Sequence, residues 1–234
     1  MTRNAIIIGG TSGIGLETAR SLYSKNYDVV IGGRTDIEEA GIQFSSIDVT
    51  SEDSVGRFFE SLPFKKIDAL IYSAGTTTLK KPITKFSVEE YYRVHDANLL
   101  GAILVLKYAY SLLLEARGRV VVVSSFAART YSAFSGFEYT VSKAGLSGLV
   151  KQLAVEWAQD EILINSVCPS MVATPMLVNN VKQTVLDAVE KGIPLGRIAT
   201  PQDVVSAIEF LISEDNNYIT GAGIDINGGQ YLSA

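Results

Sequence analysis

Short, continuous apolar segments alternate along most of the chain with segments in which apolar residues recur three and four positions apart. A continuous run is typical of a strand buried in a parallel sheet, and the wider spacing is typical of a helix with one buried face. The order of the two patterns predicts one α/β domain over residues 1–234, a doubly wound parallel sheet of about seven strands with helices on both faces. The predicted strands are Ala5–Ile8, Tyr27–Gly33, Ile42–Ile47, Ile67–Tyr72, Val120–Val123, Ile162–Cys168 and Ile224–Asn227.

The helical segments carry recognisable start signals. Ser87 with Glu90 has the spacing of a capping box, and Thr200-Pro201 reads as an N-cap followed by the first helical residue. The predicted helices run from the end of the first glycine-rich turn to about Lys25, from Thr50 to about Leu62, from Val88 to about Ala116, from Tyr139 to about Gln159, and over Gln202–Ser213.

One connection between strands is too short for a full helix. Only Arg34 to Gly41 separates the second predicted strand from the third. A parallel crossover that includes its helix needs at least about 10–12 residues. We therefore expect the second crossover helix to be shortened to a turn or lost.

Bulk composition narrows the functional classes. The chain has 234 residues and a net charge of −5, and Lys and Arg never cluster beyond two in a row, so we expect no nucleic-acid partner and no membrane surface as a partner. One His and one Cys make a structural metal site and a disulfide framework unexpected. No signal peptide and no apolar run of about 18 residues are recognised, and a cytoplasmic setting is expected.

A glycine-rich turn follows the first strand. The sequence Gly9-Gly10-Thr11-Ser12-Gly13-Ile14-Gly15 lies between a predicted strand and a predicted helix. Such a turn lets the backbone approach a pyrophosphate, which the N–H groups and positive dipole of the helix N-terminus then bind. The arrangement indicates a Rossmann-type dinucleotide site, although an ordinary strand-to-helix turn with additional glycines has the same outline.

Residues near the ends of the next strands bear on the choice of cofactor. Arg34 favours a 2′-phosphate and hence NADP(H), whereas Asp36 could bind a free hydroxyl, so NAD(H) remains possible. Asp48 could accept a hydrogen bond from the adenine amino group or cap the following helix. The short second crossover should leave the adenine side of the site more open.

The pair Tyr139 and Lys143 suggests acid/base chemistry. Residues four apart lie on the same face of a helix, so both side chains would point into the same space. A nearby ammonium stabilises a phenolate, which predicts a lowered pKa for Tyr139. Asn98 within the long third helix could hold a water or kink the helix, or it could be an ordinary surface residue. Aromatic residues follow Ser125 and either line an apolar pocket or anchor their loop: Phe126, Tyr131, Phe134 and Phe137.

Taken together, these motifs resemble the short-chain dehydrogenase/reductase family along almost the whole chain, and within it members of the 3-oxoacyl-(acyl carrier protein) reductase type. The motifs occur in the family's order: Gly9 with Gly13-Ile14-Gly15, Ala74-Gly75, Asn98-Leu99-Leu100-Gly101, Ser124-Ser125, Tyr139 with Lys143, Pro169, Thr174, Ile193-Pro194-Leu195-Gly196-Arg197 and Asn227-Gly228-Gly229. Three positions depart from the family pattern, since Ile8 replaces a Thr, Ser73 an Asn and Ser170 a Gly.

The resemblance implies hydride transfer between a nicotinamide and a carbonyl or secondary alcohol. It implies that Tyr139 is the acid/base, that Lys143 lowers its pKa and binds the nicotinamide ribose, that Ser125 orients the substrate oxygen, and that Asn98 holds a relay water. The cofactor-binding residues it implies are Gly9, Thr11, Ser12, Gly13, Ile14, Arg34, Asp48, Val49, Ser73, Ala74, Gly75, Tyr139, Lys143, Pro169, Val172 and Thr174.

Other expectations concern substrate and assembly. A substrate lid over residues 174–198 carries Met176, Leu177, Val178, Val181 and Val185, which favours a medium-sized, mostly apolar ketone or alcohol. The resemblance implies a homodimer or homotetramer, and the segments Ile103-Leu104-Leu106 and Leu146-Leu149-Val150 would either form its interface or belong to the core. A dinucleotide-binding regulator without catalysis is the competing class of function, and a lyase, epimerase or dehydratase has no supporting feature.

Overall fold

The structure, a computed structural model, describes residues 2–174, 177 and 183–232. Its centre is one parallel sheet of seven strands in the order β3-β2-β1-β4-β5-β6-β7, which confirms the predicted doubly wound architecture. The strands are β1 (Arg3–Ile8), β2 (Tyr27–Gly33), β3 (Gln43–Ser46), β4 (Ala69–Tyr72), β5 (Arg119–Val123), β6 (Leu163–Pro169) and β7 (Gly223–Ile226).

Helices cover both faces of the sheet. They are α1 (Gly13–Ser24), α2 (Glu52–Glu60), α3 (Val88–His95), α4 (Gly101–Leu114), α5 (Phe137–Glu156), α6 (Gln183–Lys191) and α7 (Pro201–Ile212), and a π-helical turn, Asp96–Leu100, joins α3 to α4. The Thr200-Pro201 start is confirmed, and Thr200 forms a reciprocal capping box with Asp203. The Ser87 hydroxyl accepts from the Glu90 N–H, which is half of the predicted box.

Alternation along each strand divides the core into two layers. In β1, Ile6 and Ile8 pack with residues of α2, α4 and α5, whereas Ala5 and Ile7 pack with residues of α1 and α7. All four side chains are fully buried. The continuous apolar run that predicted this strand is therefore the consequence of a sheet covered on both faces.

The connection from β2 to β3 contains no helix over residues 34–42, all of which the structure describes. The prediction that the second crossover helix is shortened to a turn or lost is thus confirmed. An ion pair between Arg20 of α1 and Glu39 holds the connection against the first helix. Beyond it, β3 is a strand of four residues at the edge of the sheet.

The long helical segment predicted from Val88 is interrupted by the π-helical turn at Asp96–Leu100. By length and composition alone Val88–Leu114 could cross a membrane, a test that the core helix of a soluble protein also passes. Here α4 buries Ala102, Val105 and Leu106 against the sheet.

The observed elements begin or end a few residues from their predicted bounds. The largest difference is at the end of α5, which stops three residues before the prediction, and β1, α2, β4 and α5 each begin two residues from their predicted starts. In the predicted lid, Leu177 packs against a small cluster formed by Leu186, Ile193 and Ile198. Residues 175, 176 and 178–182, which include the predicted lid residues Met176, Val178 and Val181, lie outside the described part of the chain.

Candidate active site

Tyr139 and Lys143 lie one helical turn apart at the start of α5, as the spacing predicts. The Lys143 ammonium is 5.8 Å from the centre of the Tyr139 ring. It donates to the backbone carbonyl oxygen of Val123, the last residue of β5, at 2.8 Å. This bond ties α5 to the carboxyl end of a central strand, where ligands of doubly wound sheets bind.

Ser125 follows β5 and faces Tyr139. Its hydroxyl accepts from the Ala127 N–H at 3.1 Å, which fixes the start of a single 3₁₀ turn. The same hydroxyl interacts with the Tyr139 phenol and lowers its pKa. Two hydroxyl groups are therefore brought together at the position where the resemblance requires them.

The pKa of Tyr139 departs from the sequence prediction. Burial is the largest influence and raises the pKa of Tyr139 above its ordinary value, while the Ser125 hydroxyl opposes that effect. The Lys143 ammonium donates to the Val123 carbonyl oxygen and is itself desolvated. The prediction of a lowered pKa for Tyr139 is therefore wrong, and the stabilisation of its phenolate by Lys143 stays a prediction.

Burial has the opposite effect on Lys143, because its charged form is the protonated one. Its side chain is 5% exposed, and desolvation lowers its pKa to about 8. The ammonium and its neutral form therefore lie close in free energy near neutral pH, which suits a group that exchanges protons with its surroundings.

Asn98 lies in the π-helical turn and is fully buried. Its Oδ1 accepts from the Thr76 N–H at 2.7 Å, and its Nδ2 donates to the Thr76 carbonyl oxygen at 3.0 Å and to Ser142 Oγ at 2.9 Å. The alternative of a surface Asn is wrong, and the predicted break in helical geometry is confirmed. The water relay stays a prediction.

The glycine-rich turn has the shape needed for a close approach of a ligand to the backbone. Gly9 and Gly13 have φ of +81° and +54°, in the region that favours glycine. A Cβ on Gly9 would lie 2.5 Å from the Ala74 nitrogen, and one on Gly15 would lie 2.2 Å from the Gly9 carbonyl oxygen. Ser12 makes no side-chain cap to α1, and the first turn of α1 holds no acidic residue, so its N–H groups suit a phosphate.

Two further segments lie beside this turn. The β4 exit, Ser73-Ala74-Gly75, packs against Gly9, and a Cβ on Gly75 would lie 3.1 Å from Asn98 Oδ1 and 3.6 Å from Lys143 Nζ. Pro169 ends β6, Val172 pairs with Ala199, and the Thr174 side chain would be 3.2 Å from a Cβ on Gly13. Predicted cofactor residues from three separate strand ends are thus brought to one edge of the sheet, beside Thr11 and Ile14.

The predicted adenine end of the site lies beyond β2 and β3. Arg34 and Asp36 are both exposed, and Val49 is buried against Gly101. Asp48 Oδ1 accepts from the Thr50 N–H at 3.0 Å and from the Thr50 hydroxyl at 2.8 Å, contacts that lower the pKa of Asp48. The helix cap itself is Ser51, so the prediction that Asp48 caps α2 is wrong, and the adenine contact stays a prediction.

The aromatic loop residues divide between the two predicted roles. Phe137 packs against Phe86 with ring centres 5.7 Å apart, and Phe126 packs edge-on against Tyr231 at 6.3 Å, so both anchor the loop. Tyr131 and Phe134 are exposed at 66% and 42% and remain available to a ligand.

Comparison with known proteins provides evidence that is independent of this geometry. The model of the family described as enoyl-(acyl carrier protein) reductase matches residues 9–230. The acetoacetyl-CoA reductase of Acinetobacter sp. (strain RA3849) is 32% identical over 97% of each chain. The 3-oxoacyl-[acyl-carrier-protein] reductase of Aquifex aeolicus (strain VF5) is also 32% identical, over 97% of this chain and 96% of its own. The chain belongs to the short-chain dehydrogenase/reductase family.

A solved structure that is similar to this chain contains a bound nicotinamide cofactor. ElxO with NADP bound matches with a TM-score of 0.91 and 29% identity, over 98% of this chain and 99% of that one. The protein is an NAD(P)-dependent oxidoreductase that acts on hydroxyl and carbonyl groups, and a non-catalytic regulator is not favoured.

Sequence reasoning missed several partners of the site residues. Ser142 and Thr76 bind Asn98, and the Val123 carbonyl binds Lys143. Arg93 donates to the Thr76 hydroxyl at 2.9 Å and to the Thr77 carbonyl oxygen at 3.1 Å. Ser142 could have been found, because it lies three residues after Tyr139 and one before Lys143 on α5. The carbonyl of Val123 carries no side-chain signal.

Proposed function

We propose that the protein is an NADP(H)-preferring carbonyl reductase in which Tyr139 is the proton donor and acceptor. The observation that carries the proposal is the convergence of Ser125, Tyr139, Lys143 and Asn98 beside a glycine cradle that leaves no space for a Cβ. The cradle fits a dinucleotide pyrophosphate, and the cofactor, when bound, supplies or accepts the hydride.

Proton handling belongs to the chain's own residues. In the direction of reduction, the Tyr139 hydroxyl donates its proton to the substrate oxygen, and the Ser125 hydroxyl donates a hydrogen bond to that oxygen and orients it. The raised pKa of Tyr139 keeps the phenol protonated and ready to donate at neutral pH. Removing a proton from an alcohol in the reverse direction requires the phenolate, which Lys143 would stabilise once its ammonium turns from Val123.

Lys143 and Asn98 support that proton donor. Lys143 Nζ lies within reach of the Tyr139 ring and of the strand end where a nicotinamide ribose would bind. Asn98 fixes the loop at Thr76 and the helix at Ser142, so the two segments that frame the site keep a constant separation. A water beside Asn98 would pass protons to Lys143.

Arg34 supports the preference for NADP(H). Its guanidinium is exposed at the end of β2, where a fork of N–H donors suits a 2′-phosphate. The absence of a helix over residues 34–42, which are all described, leaves room for that phosphate beside Arg34. Asp36 carries the competing possibility of NAD(H), because a carboxylate there would accept hydrogen bonds from the two ribose hydroxyls.

A titration of the purified protein with NADPH and with NADH, followed by nicotinamide fluorescence, tests this assignment. Tight NADPH binding with weak NADH binding supports the proposal. A preference for NADH overturns the role of Arg34 and favours oxidation of an alcohol. Binding of neither cofactor overturns the proposed function as a whole.

The substrate that we propose is a medium-sized, mostly apolar ketone or secondary alcohol. The loops around the site present exposed apolar side chains, among them Leu79 at 86%, Tyr131 at 66% and Leu195 at 71%. A panel of ketones of increasing chain length, with and without charged groups, tests the assignment through kcat/KM. Activity confined to small, strongly polar carbonyl compounds would contradict it.

We also propose a homodimer or homotetramer in the cytoplasm. Four of the six residues considered for the interface are instead buried in the core, which was the alternative interpretation: Leu104, Leu106, Leu146 and Val150. Ile103 remains 41% exposed, and Leu100 and Val141 remain 43% and 48% exposed on the same helical layer. Multi-angle light scattering tests the assembly, and a monomer would contradict it.

A further inference from the structure

A carboxylate without exposure to water lies directly before the catalytic tyrosine. Glu138 is 0% exposed, and its Oε2 accepts from the Thr78 hydroxyl at 3.1 Å. A Cβ on Gly136 would lie 2.2 Å from that oxygen and 2.3 Å from the Thr78 hydroxyl. Only glycine at 136 leaves room for the contact, so the local sequence is adapted to keep Glu138 inside.

The second oxygen of this carboxylate lacks a donor. Glu138 Oε1 is buried and has no hydrogen-bond partner among the residues that the structure describes. A buried carboxylate is costly unless both of its oxygens are satisfied. A further proton donor would satisfy Oε1, and one buried donor on α3, the helix packed against this end of α5, is a candidate because it also lacks a partner within the described residues.

That candidate is His95, the last residue of α3 and the only histidine of the chain. Its Nε2 is also buried and without a partner within the described residues. The Tyr91 ring stacks on the imidazole with centres 4.0 Å apart. Burial lowers the pKa of His95, and two negative charges oppose that effect, Asp96 beside it and Glu138 across the interface between α3 and α5.

We propose that His95 Nε2–H donates to one bridging water, which in turn donates to Glu138 Oε1, and that this pair positions the catalytic centre. Such a bridge would satisfy both of the buried atoms that lack a partner within the described residues. The inference rests on the proposed function, because the pair acts through Tyr139 and Asn98 and touches neither substrate nor cofactor.

The position of the pair explains its effect on the reaction. Tyr139 directly follows Glu138, and Asn98 lies one helical turn after His95. The loop segment 76–78 is held at both ends. Asn98 accepts from the Thr76 N–H, and Glu138 accepts from the Thr78 hydroxyl. A link between Glu138 and His95 therefore closes a ring of contacts around the segments that carry the proton donor and its supporting amide.

Titration of His95 by NMR tests the link, and the single histidine makes its assignment direct. Glu138→Gln removes the charge while its carbonyl oxygen still accepts from Thr78. We expect the pKa of His95 to fall by about 0.5 or more in this variant, because the imidazolium loses a nearby anion. Glu156→Gln, at the exposed end of α5, is the matched control and should leave it unchanged. An unchanged pKa of His95 in Glu138→Gln would overturn the proposal.

The wild type alone provides a second measurement, which does not depend on how the variants fold. A hydrogen bond donated by Nε2 keeps the proton of the neutral imidazole on that nitrogen. The ¹⁵N spectrum of the imidazole should therefore show Nε2 protonated in the neutral form. A neutral form protonated on Nδ1 overturns the pair.

A double-mutant cycle tests the functional consequence. Glu138→Gln and His95→Leu should each lower kcat about tenfold with little change in the Kd for cofactor, because a small misplacement of reacting groups is costly. The double variant should lose about as much as either single one, since both remove the same link. Losses that multiply would refute coupling. If Tyr139→Phe abolishes turnover while the cycle multiplies, only the pair fails and the proposed function stands.

Discussion

Asn98 Nδ2 donates to Ser142 Oγ at 2.9 Å and thereby joins the π-helical turn to the helix that carries Tyr139 and Lys143. The Ser142 hydroxyl in turn donates to the Tyr139 carbonyl oxygen at 2.8 Å, and the Ser142 side chain is fully buried. An interruption in one helix is therefore fixed against the first turn of another.

Replacing Asn98 should damage both stability and catalysis. Asn98→Ala leaves the Thr76 N–H without its acceptor, and we expect the free energy of unfolding to fall by about 2 kcal/mol. Urea denaturation measures that loss. Asn216→Ala is the matched control, since Asn216 is also buried and bound to backbone but lies between α7 and β7. It should destabilise similarly and leave kcat intact, whereas equal effects of the two variants on kcat would argue against a role for Asn98 in the site.

Loss of the Tyr139 hydroxyl should stop the reaction but spare cofactor binding. A positioned general acid contributes ~10²–10⁴-fold, so Tyr139→Phe should lower kcat by that order while the Kd for cofactor stays close to that of wild type. Steady-state kinetics and a fluorescence titration provide the two quantities. Tyr110→Phe removes a hydroxyl bound to Asp160 at 2.8 Å, outside the site, and is the control. Normal turnover in Tyr139→Phe would refute the mechanism.

The lowered pKa of Lys143 predicts a specific dependence of stability on pH. Between about pH 8 and about pH 10, the unfolded chain holds a proton on this residue that the folded protein has released, so the contribution of Lys143 to stability rises with pH. The free energy of unfolding of wild type relative to Lys143→Met should rise by about 3 kcal/mol across this range.

Urea denaturation at several pH values tests this dependence. Lys151→Met, an exposed position on the same helix, should run parallel to wild type. Parallel curves for wild type and Lys143→Met would show that Lys143 is not desolvated as described.

Substitutions of Arg34 and Asp36, which follow β2, should show which of the two residues binds the adenine ribose. Arg34→Ala should weaken NADPH binding about 10–100-fold, the range expected for a lost hydrogen bond to a charged group, and should leave NADH binding nearly unchanged. Arg57→Ala, an exposed arginine on α2, is the control for net charge. If Asp36→Asn weakens NADH binding and Arg34→Ala affects neither cofactor, Asp36 is the residue that reads the ribose.

The parts of this protein that the sequence predicts are those in which side-chain pattern decides the outcome. Ile6, Ile7 and Ile8 could only be a strand buried on both faces, and eight residues between β2 and β3 could not hold a full crossover helix. The spacing of four residues likewise predicts that Tyr139 and Lys143 lie on the same face of one helix.

The remainder depends on tertiary contacts. The direction of the Tyr139 pKa shift follows from how deeply α5 packs and from where Lys143 Nζ points, and a spacing of four residues contains neither quantity. The π-helical geometry at Asn98 requires Thr76 and Ser142, which are distant in sequence. Glu138 reads as a surface residue beside the motif, and only the fold shows that it is buried.

The missing crossover helix also has a consequence for the motions of the protein. Within the described part of the chain, the strand β3 pairs only with β2 and lacks the covering element that a complete crossover would supply, so little apolar contact opposes its local opening. The backbone amide hydrogens of β3 should exchange with solvent through openings confined to that edge. The amide hydrogens of β1, β4 and β5 should exchange only when the whole domain unfolds. The edge of the sheet at β3, which lies beside Arg34, should thus open locally while the central strands stay paired.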